Sequence, residues 1–404
     1  MDNSFSQSLP FPLSLSSKQL TYFLMGLTCF FLPISISIRE VLFVLTIITI
    51  VSQHEERLII KQLFWTAWGV SITALVFLVL LSSFWSIAPV KDILNFDVRC
   101  VKLLYIPFLV AAFRDEGLRK IVLNILLFAL TLVATISIFA YLKLPYFAKL
   151  NADHVFQNHV IFGFMGSNMA YLAACLAAQR KTKYHKLYFA SAVIIGLQVL
   201  WVNEGRMGYI MLDCLAFLWM WQYLSYRQIA VALILYLSVC FAAFYFSEGT
   251  RNGTLNLVKD IIAYKDNSNP NTRIGYRFQY HDFANQLFLQ SPIIGHGVGA
   301  YSAAVDKNHL FVEQKFGVIN DAHGQYWLMA VEQGVIGVAL LFLAFASLFV
   351  TIWRNKKVRP LALGLLGTMA LGQFADSLLY HSPQIYFFII LLSVYLGEIH
   401  ENSI

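Results

Sequence analysis

The chain has 404 residues, of which 58% are hydrophobic and only 13% are charged, and its mean hydropathy is +0.65. A soluble domain of this size needs a polar surface, so the composition excludes that class and indicates a membrane protein. The net charge of +7 does not indicate a nucleic-acid partner, because Lys and Arg collect in the cytoplasmic loops of membrane proteins.

Apolar stretches of about 17–25 residues recur along the chain, as membrane-spanning helices require. The polar residues 1–19 lead into the first stretch without a cleavage motif, which predicts an uncleaved first span. We predict an all-α polytopic protein with about twelve transmembrane helices and one helical loop domain outside the membrane. The spans are predicted at residues 20–38, 40–52, 62–82, 96–113, 119–142, 159–179, 187–204, 206–224, 228–246, 323–353, 360–379 and 384–399.

The predicted organisation is nine helices in residues 1–246, a large polar loop in residues 247–322 and three helices in residues 323–404. With the N-terminus inside, the inside segments carry about twice as many Lys and Arg as the short outside segments. Both termini are therefore expected in the cytoplasm and the large loop outside. Within the loop, residues 255–264 and 276–289 have helical apolar spacing, and residues 291–299 indicate a turn-rich connection.

Three arginines are candidate anion-binding residues. Arg206 lies between the seventh and eighth predicted spans, near the outer interface, and Arg273 and Arg277 lie four residues apart on one predicted helix face. A guanidinium is always charged, and its fork of donors matches phosphate oxygens. The alternatives are an arginine that snorkels to lipid headgroups and a solvated helix face.

His323 begins the tenth predicted span, and Gly334 and Gly337 follow it. The apolar run 335–353 is long enough to cross the membrane, so a straight helix would hold His323 about 18 Å beyond the hydrocarbon core. The two glycines would allow close backbone packing. The imidazole fits a general base for a hydroxyl group or, alternatively, a helix cap.

Basic residues also follow the aromatic segment 83–89, namely Lys91, Arg99 and Lys102. They are candidate contacts for lipid phosphate at the outer interface. Asp213 and Asp376 are the main charges expected within spans, and no carboxylate cluster on the outer side suggests Mg²⁺ binding. We therefore expect no metal and no cofactor at the site.

Together these features resemble the O-antigen ligase and polymerase superfamily of bacterial inner-membrane proteins, which have about twelve spans and one long periplasmic loop late in the sequence. In the O-antigen ligases, a His-[Asn/Ser/Gln]-x9-Gly-x2-[Gly/Thr/Tyr] motif follows that loop, and His323, Gly334 and Gly337 fall at those intervals. Gly324 departs from the motif, because the family has a polar side chain there, and Gln325 comes one residue late.

Two arginines and one further segment are also similar to the family. Its loop arginine, about fifteen residues before a Pro-x-x-Gly-x-Gly turn, corresponds to Arg277 before residues 292–297. Its earlier arginine, at a short periplasmic helix junction, corresponds to Arg206. Residues 83–89 resemble the family's Ser-x-x-Trp-Ser-x-x-Pro segment.

The resemblance implies transfer of a glycan from undecaprenyl pyrophosphate to a sugar hydroxyl of the lipid A core, at the periplasmic face of the inner membrane. It implies that Arg206 and Arg277 bind the pyrophosphate and that His323 orients or deprotonates the acceptor. Transfer without a metal and with inversion at the anomeric carbon is expected. Further substrate contacts are expected from Arg273, Lys91, Arg99, Lys102, Gln325 and Tyr326, and the expected partners are the two glycolipids and membrane lipids.

Three alternatives remain open at this point. An O-antigen polymerase would use the same donor and a second lipid-linked glycan as the acceptor. A protein-glycosylating relative is expected to have a longer C-terminal region. A lipid-linked-sugar flippase or transporter should place charged residues near the bilayer midplane.

Overall fold

The computed structural model describes residues 16–179, 183–266, 268–269, 271–308 and 321–401, so residues 1–15 and 309–320 of the predicted segments lie outside it. Within these ranges the chain is all-α, with no strand. The helices are α1 Ser17–Phe31, α2 Ile36–Ser52, α3 His54–Phe64, α4 Ala67–Ser82, α5 Val90–Val101, α6 Tyr105–Ala112, α7 Glu116–Tyr141, α8 His159–Ala178, α9 His185–Leu197, α10 Arg206–Tyr223, α11 Tyr226–Phe246, α12 Glu248–Lys265, α13 Arg273–Gln290, α14 Ala300–Lys307, α15 Gln325–Arg354, α16 Arg359–Gly372 and α17 Ser382–Ile399.

Seven helical segments are long and apolar enough to cross a membrane. They are Ala67–Trp85, Glu116–Tyr141, His159–Ala178, His185–Val202, Tyr226–Phe246, Gln325–Arg354 and Ser382–Ile399. An eighth is present if α2 and α3, which meet at a bend of 100°, form one broken span. Seven or eight spans by this measure do not establish twelve, so the count of twelve stays a prediction.

Three predicted spans have wrong boundaries, because polar caps break the helices inside them. The span predicted at 20–38 is interrupted where α1 ends and Ser35 accepts the N–H of Ile38 to cap α2. The span predicted at 62–82 is interrupted where Thr66 caps α4 by accepting the N–H of Gly69. The span predicted at 360–379 ends at Gly372, and residues 373–381 leave the helix.

The helix α15 is not the straight rod that the sequence analysis expected. Its backbone breaks at Gly334, where φ is 64° and ψ is −162°, a conformation open essentially to glycine alone. A Cβ atom at this position would lie 2.2 Å from the carbonyl oxygen of Ile293. The assumption of an unbroken helix was therefore wrong, and the position of His323 about 18 Å beyond the hydrocarbon core stays a prediction.

The glycine-rich turn at residues 291–299 packs directly on this break. The N–H of Val335 donates to Pro292 O at 2.8 Å, and the N–H of Gly297 donates to Glu332 O at 2.9 Å. From the other side, Ser86 Oγ donates to Val298 O at 2.6 Å. Three segments far apart in sequence, the turn at residues 291–299, the break in α15 and Ser86, are thus bonded to one another.

The two helical patterns predicted inside the loop are confirmed, because residues 255–264 lie in α12 and residues 276–289 lie in α13. Thr272 caps α13 by accepting the N–H of Gly275 at 3.0 Å. The turn predicted at 291–299 is also confirmed, with positive φ at Gly295, Gly297 and Gly299.

Candidate active site

Three arginines of the predicted site come together where α10, α12 and α13 meet. Arg206 is the first residue of α10, its side chain is 22% exposed, and its Nη2 atom lies 3.7 Å from Oδ2 of Asp260 on α12. The charges of Arg273 and Arg277, on α13, act on the Arg206 guanidinium. Like charges gathered in this way repel each other unless an anion lies among them, so the arrangement favours an anionic ligand.

A polar cavity of about 510 Å³ opens beside Arg206 and Arg273. Its lining has mixed charge, because Glu204, Glu248 and Asp260 also face it. Arg277 does not line the cavity, and within the described ranges it has no carboxylate within ion-pair distance. Arg206 and Arg273 thus share the cavity with three carboxylates, while Arg277 lies outside its lining.

One face of α13 connects these arginines to His323. Arg273, Arg277 and His281 follow one another at intervals of four residues, so they share that face. His281 Nε2 lies 3.4 Å from the carbonyl oxygen of His323. Burial lowers the pKa of His281 despite this contact, and the charges of Arg277 and His323 lower it further, so its imidazole is neutral at pH 7.

The sequence predicted that His323 begins a helix. It lies instead in the turn before α15. It adopts φ of 48°, which is uncommon for a residue with a side chain, and Gly324 is the N-cap of α15. Asp321 holds this backbone by accepting the His323 N–H at 2.6 Å. The ring of Tyr280 stacks on the imidazole with 5.5 Å between the ring centroids. These contacts fix the direction of the imidazole.

A buried carboxylate faces the inner nitrogen of this ring. His323 Nδ1 is buried and makes no hydrogen bond among the described residues, but it lies at an ion-pair distance of 3.5 Å from Oδ1 of Asp376. The His323 side chain as a whole is 37% exposed. Oδ1 of Asp376 accepts the N–H of Ser377 at 2.9 Å and contacts Nε2 of His381 at 3.2 Å. A carboxylate on one ring nitrogen orients the imidazole and leaves the opposite nitrogen, Nε2, for a reacting group.

Asp376 is ionised in this setting. Burial alone would raise its pKa, but the imidazoles of His323 and His381 outweigh burial and hold the pKa well below its ordinary value. For His381, burial works to lower the pKa, and the bond and charge of Asp376 reverse this and raise it. The expectation that Asp376 is a charge within a span was wrong, because α16 ends before it.

The expectation that no carboxylate cluster on the outer side suggests Mg²⁺ binding stays a prediction, although two carboxylates do lie at the site. Ligand atoms of Asp321, His323 and Asp376 all lie within 4.8 Å of one another, as a metal site requires. Oδ1 of Asp321, however, already accepts the N–H of His323 and the hydroxyl of Ser377, and Oδ1 of Asp376 accepts two donors as described. A cation at these oxygens would displace protons that already point at them, so the cluster is better suited to orienting His323.

The residues that follow His323 anchor the helix. Gln325 is 1% exposed, and its N–H donates to Gln373 O at 2.9 Å. Tyr326 donates its hydroxyl to Ala370 O at 3.0 Å and packs against Phe374. These contacts tie α15 to the end of α16 and keep both side chains from the exposed face of His323. Of the two motif glycines, Gly334 forms the break described above and Gly337 packs against Gln333.

The basic residues near the outer interface divide into three environments. Lys91 is exposed. Arg99 lies close enough to His381 for its charge to act there. Lys102 is only 8% exposed, and its Nζ lies 3.1 Å from Ser382 Oγ and 3.5 Å from Glu40 Oε1. Lys102 is therefore turned inward and paired, which removes it from the surface where lipid phosphates lie.

An apolar groove of about 360 Å³ lies among α8, α9, α10 and α11. On α10 it is lined by residues from Leu212 to Met220, so it begins about 9 Å along the helix from Arg206. One wall of the groove is α11, and only 6% of the most apolar part of this helix is buried inside the protein. The groove is thus walled on one side by a largely exposed helix, and its α10 residues lie on the C-terminal side of Arg206.

The sequence analysis missed Asp376 and His381 as members of the site. Their signal was present, because residues 373–381 place Gln373, Asp376, Ser377 and His381 at the end of an apolar helix. A polar run of this kind indicates an early helix end, and the hydropathy of the longer window masked it. Asp213, the other charge expected within a span, accepts the hydroxyl of Tyr236 at 2.7 Å.

The architecture and site define a helical membrane protein with a guanidinium cluster and a carboxylate-oriented imidazole. A family model described as O-antigen ligase matches residues 190–342. The resemblance to the O-antigen ligase superfamily is thereby confirmed. The matched segment contains Arg206, Arg273, Arg277 and His323, and Asp376 lies beyond it.

The chain is also similar to an uncharacterized protein of Haemophilus influenzae (strain ATCC 51907 / DSM 11121 / KW20 / Rd), with 22% identity over 212 residues. This match covers 50% of the chain and 53% of the relative, so the chain spans about half the length of that protein. The family points to glycosyl transfer in general and, together with the apolar helices, to a membrane location.

Proposed function

We propose that this protein is an O-antigen ligase, which transfers a glycan from undecaprenyl pyrophosphate to a sugar hydroxyl of the lipid A core. One observation carries the proposal: α13 joins the arginine cluster to His323 through His281. An apolar groove begins about 9 Å along α10 from Arg206. A groove suits the polyprenyl chain, guanidinium groups suit its pyrophosphate, and an imidazole suits a hydroxyl acceptor.

In the proposed reaction, His323 Nε2 accepts the proton of the acceptor hydroxyl as its oxygen attacks the anomeric carbon of the glycan. The bond from that carbon to the pyrophosphate oxygen breaks, and undecaprenyl pyrophosphate leaves with the bonding electrons. Arg206 and Arg277, together with Arg273, stabilise the negative charge that develops on it. Attack from the side opposite the leaving group inverts the anomeric configuration.

Asp376 acts in this scheme as a positioning residue. Its carboxylate fixes the His323 ring through Nδ1 and stabilises the imidazolium that forms during proton transfer. Because Oδ1 of Asp321 and Oδ1 of Asp376 each contact two donors already, transfer is proposed to need no metal at His323.

The site is proposed to face the periplasm of a bacterial inner membrane, with both termini cytoplasmic and twelve spans in all. The support is the distribution of basic residues. In a variant whose native cysteines are replaced, a cysteine at exposed position Asn256 should react with a membrane-impermeant maleimide in intact cells. A cysteine at Lys357 should react only after the inner membrane is opened, and the reverse pattern would contradict the orientation.

The proposed reaction is tested by lipopolysaccharide gels from a deletion strain that is complemented with the wild type or with His323→Ala. Without active protein, the lipid A core should lack O-antigen while lipid-linked polymer accumulates. A core that carries a single repeat unit would instead identify the sister activity, O-antigen polymerisation. Unchanged lipopolysaccharide in the deletion strain would contradict both.

A further inference from the structure

A second group of potential ligands lies away from His323, in the connection between α7 and α8. Asp153 and His154 are in the 3₁₀ turn Ala152–His154, and His159 is the first residue of α8. Oδ2 of Asp153 lies 3.1 Å from Nδ1 of His154 and 3.1 Å from Nδ1 of His159. One ligand atom from each residue falls within a common distance of 4.8 Å.

These distances suit a tetrahedral transition-metal ion. Zinc binds imidazole nitrogen and carboxylate oxygen at about 2.0–2.2 Å, so neighbouring ligand atoms of a tetrahedral site lie roughly 3.3 Å apart. The observed separations of 3.1 Å need only a small expansion to admit the ion. Two imidazoles and one carboxylate supply three ligands and leave a fourth position for water.

The hydrogen bonds of the Asp153 carboxylate differ from those of the carboxylates beside His323. Among the described residues, Oδ2 of Asp153 contacts the two imidazole nitrogens, which are themselves ligands, so an ion can replace the protons there without breaking a bond to a third described residue. The second carboxylate oxygen, Oδ1, accepts the N–H of Glu204 at 2.9 Å. That bond orients the carboxylate from behind, as outer-shell donors do for metal ligands.

The cluster is joined to the loop that carries Arg206. Besides the bond from Glu204 to Asp153, Asn203 Nδ2 donates to His159 O at 3.0 Å. Arg206 begins α10 two residues after Glu204. An ion held by Asp153 would therefore tie the connection before α8 to the loop before α10 and restrict the movement of Arg206.

We propose that Asp153, His154 and His159 form a binding site for one zinc-class divalent ion, which clips the 203–206 loop to the start of α8. Imidazole ligands select such an ion over Mg²⁺ and Ca²⁺, which prefer sites built from oxygen. The ion does not touch the reacting groups, and its presence does not depend on the proposed glycan transfer.

The proposal is tested on the full-length protein, purified in detergent through a tag without histidine and stripped with a chelator. Zinc binding is measured by calorimetry, and bound metal is measured by mass spectrometry. The Tm is measured with and without zinc. The wild type should bind about one ion and become more stable, and Mg²⁺ should have no such effect. The double variant His154→Asn/His159→Asn should lose at least about tenfold in affinity, while His323→Asn should keep the binding.

Absence of stoichiometric zinc in the wild type would overturn the proposal, leaving a hydrogen-bonded cluster without metal. Equal binding by the double variant would also overturn it, and loss of binding in His323→Asn would place the ion at the other cluster. If the double variant does not fold, His154→Asn alone serves, because the side chain of His154 is 44% exposed. Bound zinc is measured whether or not the protein transfers glycan, so failure here leaves the proposed function untouched.

Discussion

At the scale of single residues, the site depends on how His323 is held. A left-handed backbone, a stacked Tyr280 and the carboxylate of Asp376 each restrict the ring, and no single contact would suffice on an exposed turn. Strain of this kind persists only where the surroundings compensate for it, and it is concentrated at functional sites. Asp376 is the contact that bears on proton transfer, because it faces a ring nitrogen.

Asp376→Asn should lower turnover by at least about 10²-fold with little change in KM, because Asn keeps the shape but cannot stabilise an imidazolium. Initial rates with purified donor and acceptor measure this. Asp306→Asn, at an exposed position on α14, is the matched control and should be near wild type. Turnover within about twofold of wild type for Asp376→Asn would remove Asp376 from the mechanism.

The same carboxylate predicts a pH dependence of stability. The lowered pKa of Asp376 means that its contribution is present above about pH 3.9, its unfolded value, and is lost as the pH falls through the native pKa. The raised pKa of His381 means that its contribution is complete below about pH 6.5 and is lost as the pH rises through the native value.

Both contributions are therefore present together between about pH 4 and pH 6.5. The difference in Tm between the wild type and Asp376→Asn should be largest in that window and should shrink toward pH 9. Thermal unfolding in detergent across this range measures it. A difference that grows as the pH rises would contradict the ion pair between Asp376 and His381.

Arg277 tests whether the guanidinium fork matters beyond its charge. Arg277→Ala should lower kcat/KM by roughly 10²-fold or more, and Arg277→Lys should fall between that variant and the wild type, because Lys keeps the charge but not the paired donors. Lys259→Ala, an exposed cation on the neighbouring α12, is the control and should be near wild type. An Arg277→Ala variant as active as Lys259→Ala would exclude a pyrophosphate contact.

At the scale of elements, the broken helix α15 sets the position of the site. The glycine turn 291–299 donates to and accepts from the backbone at the break, and α13 leads directly into that turn. The bonds at the break therefore hold the C-terminal end of α13 in place. The face of α13 that bears Arg273 and Arg277 also bears His281, which contacts His323.

Gly334→Ala should destabilise the protein by about 1–3 kcal/mol or more, because Ala does not tolerate this backbone conformation and its Cβ would collide with Ile293. A lower Tm in detergent is the measurement. Gly367→Ala on α16 is the matched control, because a Cβ there meets nothing within 4 Å and Ala favours the helix. Equal melting temperatures for both variants would mean that the close packing at Gly334 does not stabilise the fold.

Much of this arrangement could be predicted from the sequence. Hydropathy located the apolar helices, and periodicity located α12 and α13, because both signals are local. Motif spacing and the charge of the loops put His323 and the arginines on one side of the membrane, which stays a prediction.

The sequence could not predict the contacts between residues that are far apart in the chain. The break at Gly334 depends on Ile293, some forty residues away, and a window of hydropathy reads the two halves of α15 as one apolar run. Asp376 was assigned to a span for the same reason, because its apolar neighbours dominate the average. His154 and His159 approach Asp153 only after the chain turns at Ala152–His154.

At the scale of the whole molecule, the proposed reaction brings two lipid-anchored substrates to one set of side chains. The groove beside α11 begins about 9 Å along α10 from Arg206, which suits a donor whose lipid chain lies in the bilayer. The exposed side of His323 is left for the acceptor. The division explains why two of the cations lie on α13 while the imidazole lies in the turn before α15.

The most direct test is transfer in detergent by purified protein supplied with undecaprenyl-pyrophosphate-linked glycan and lipid A core. The wild type should attach the glycan to the core with inversion at the anomeric carbon, and His323→Ala, at equal protein and equal Tm, should give no product above background. Attachment by His323→Ala at a rate near that of the wild type would contradict the account. So would a wild-type protein that only lengthens the lipid-linked glycan.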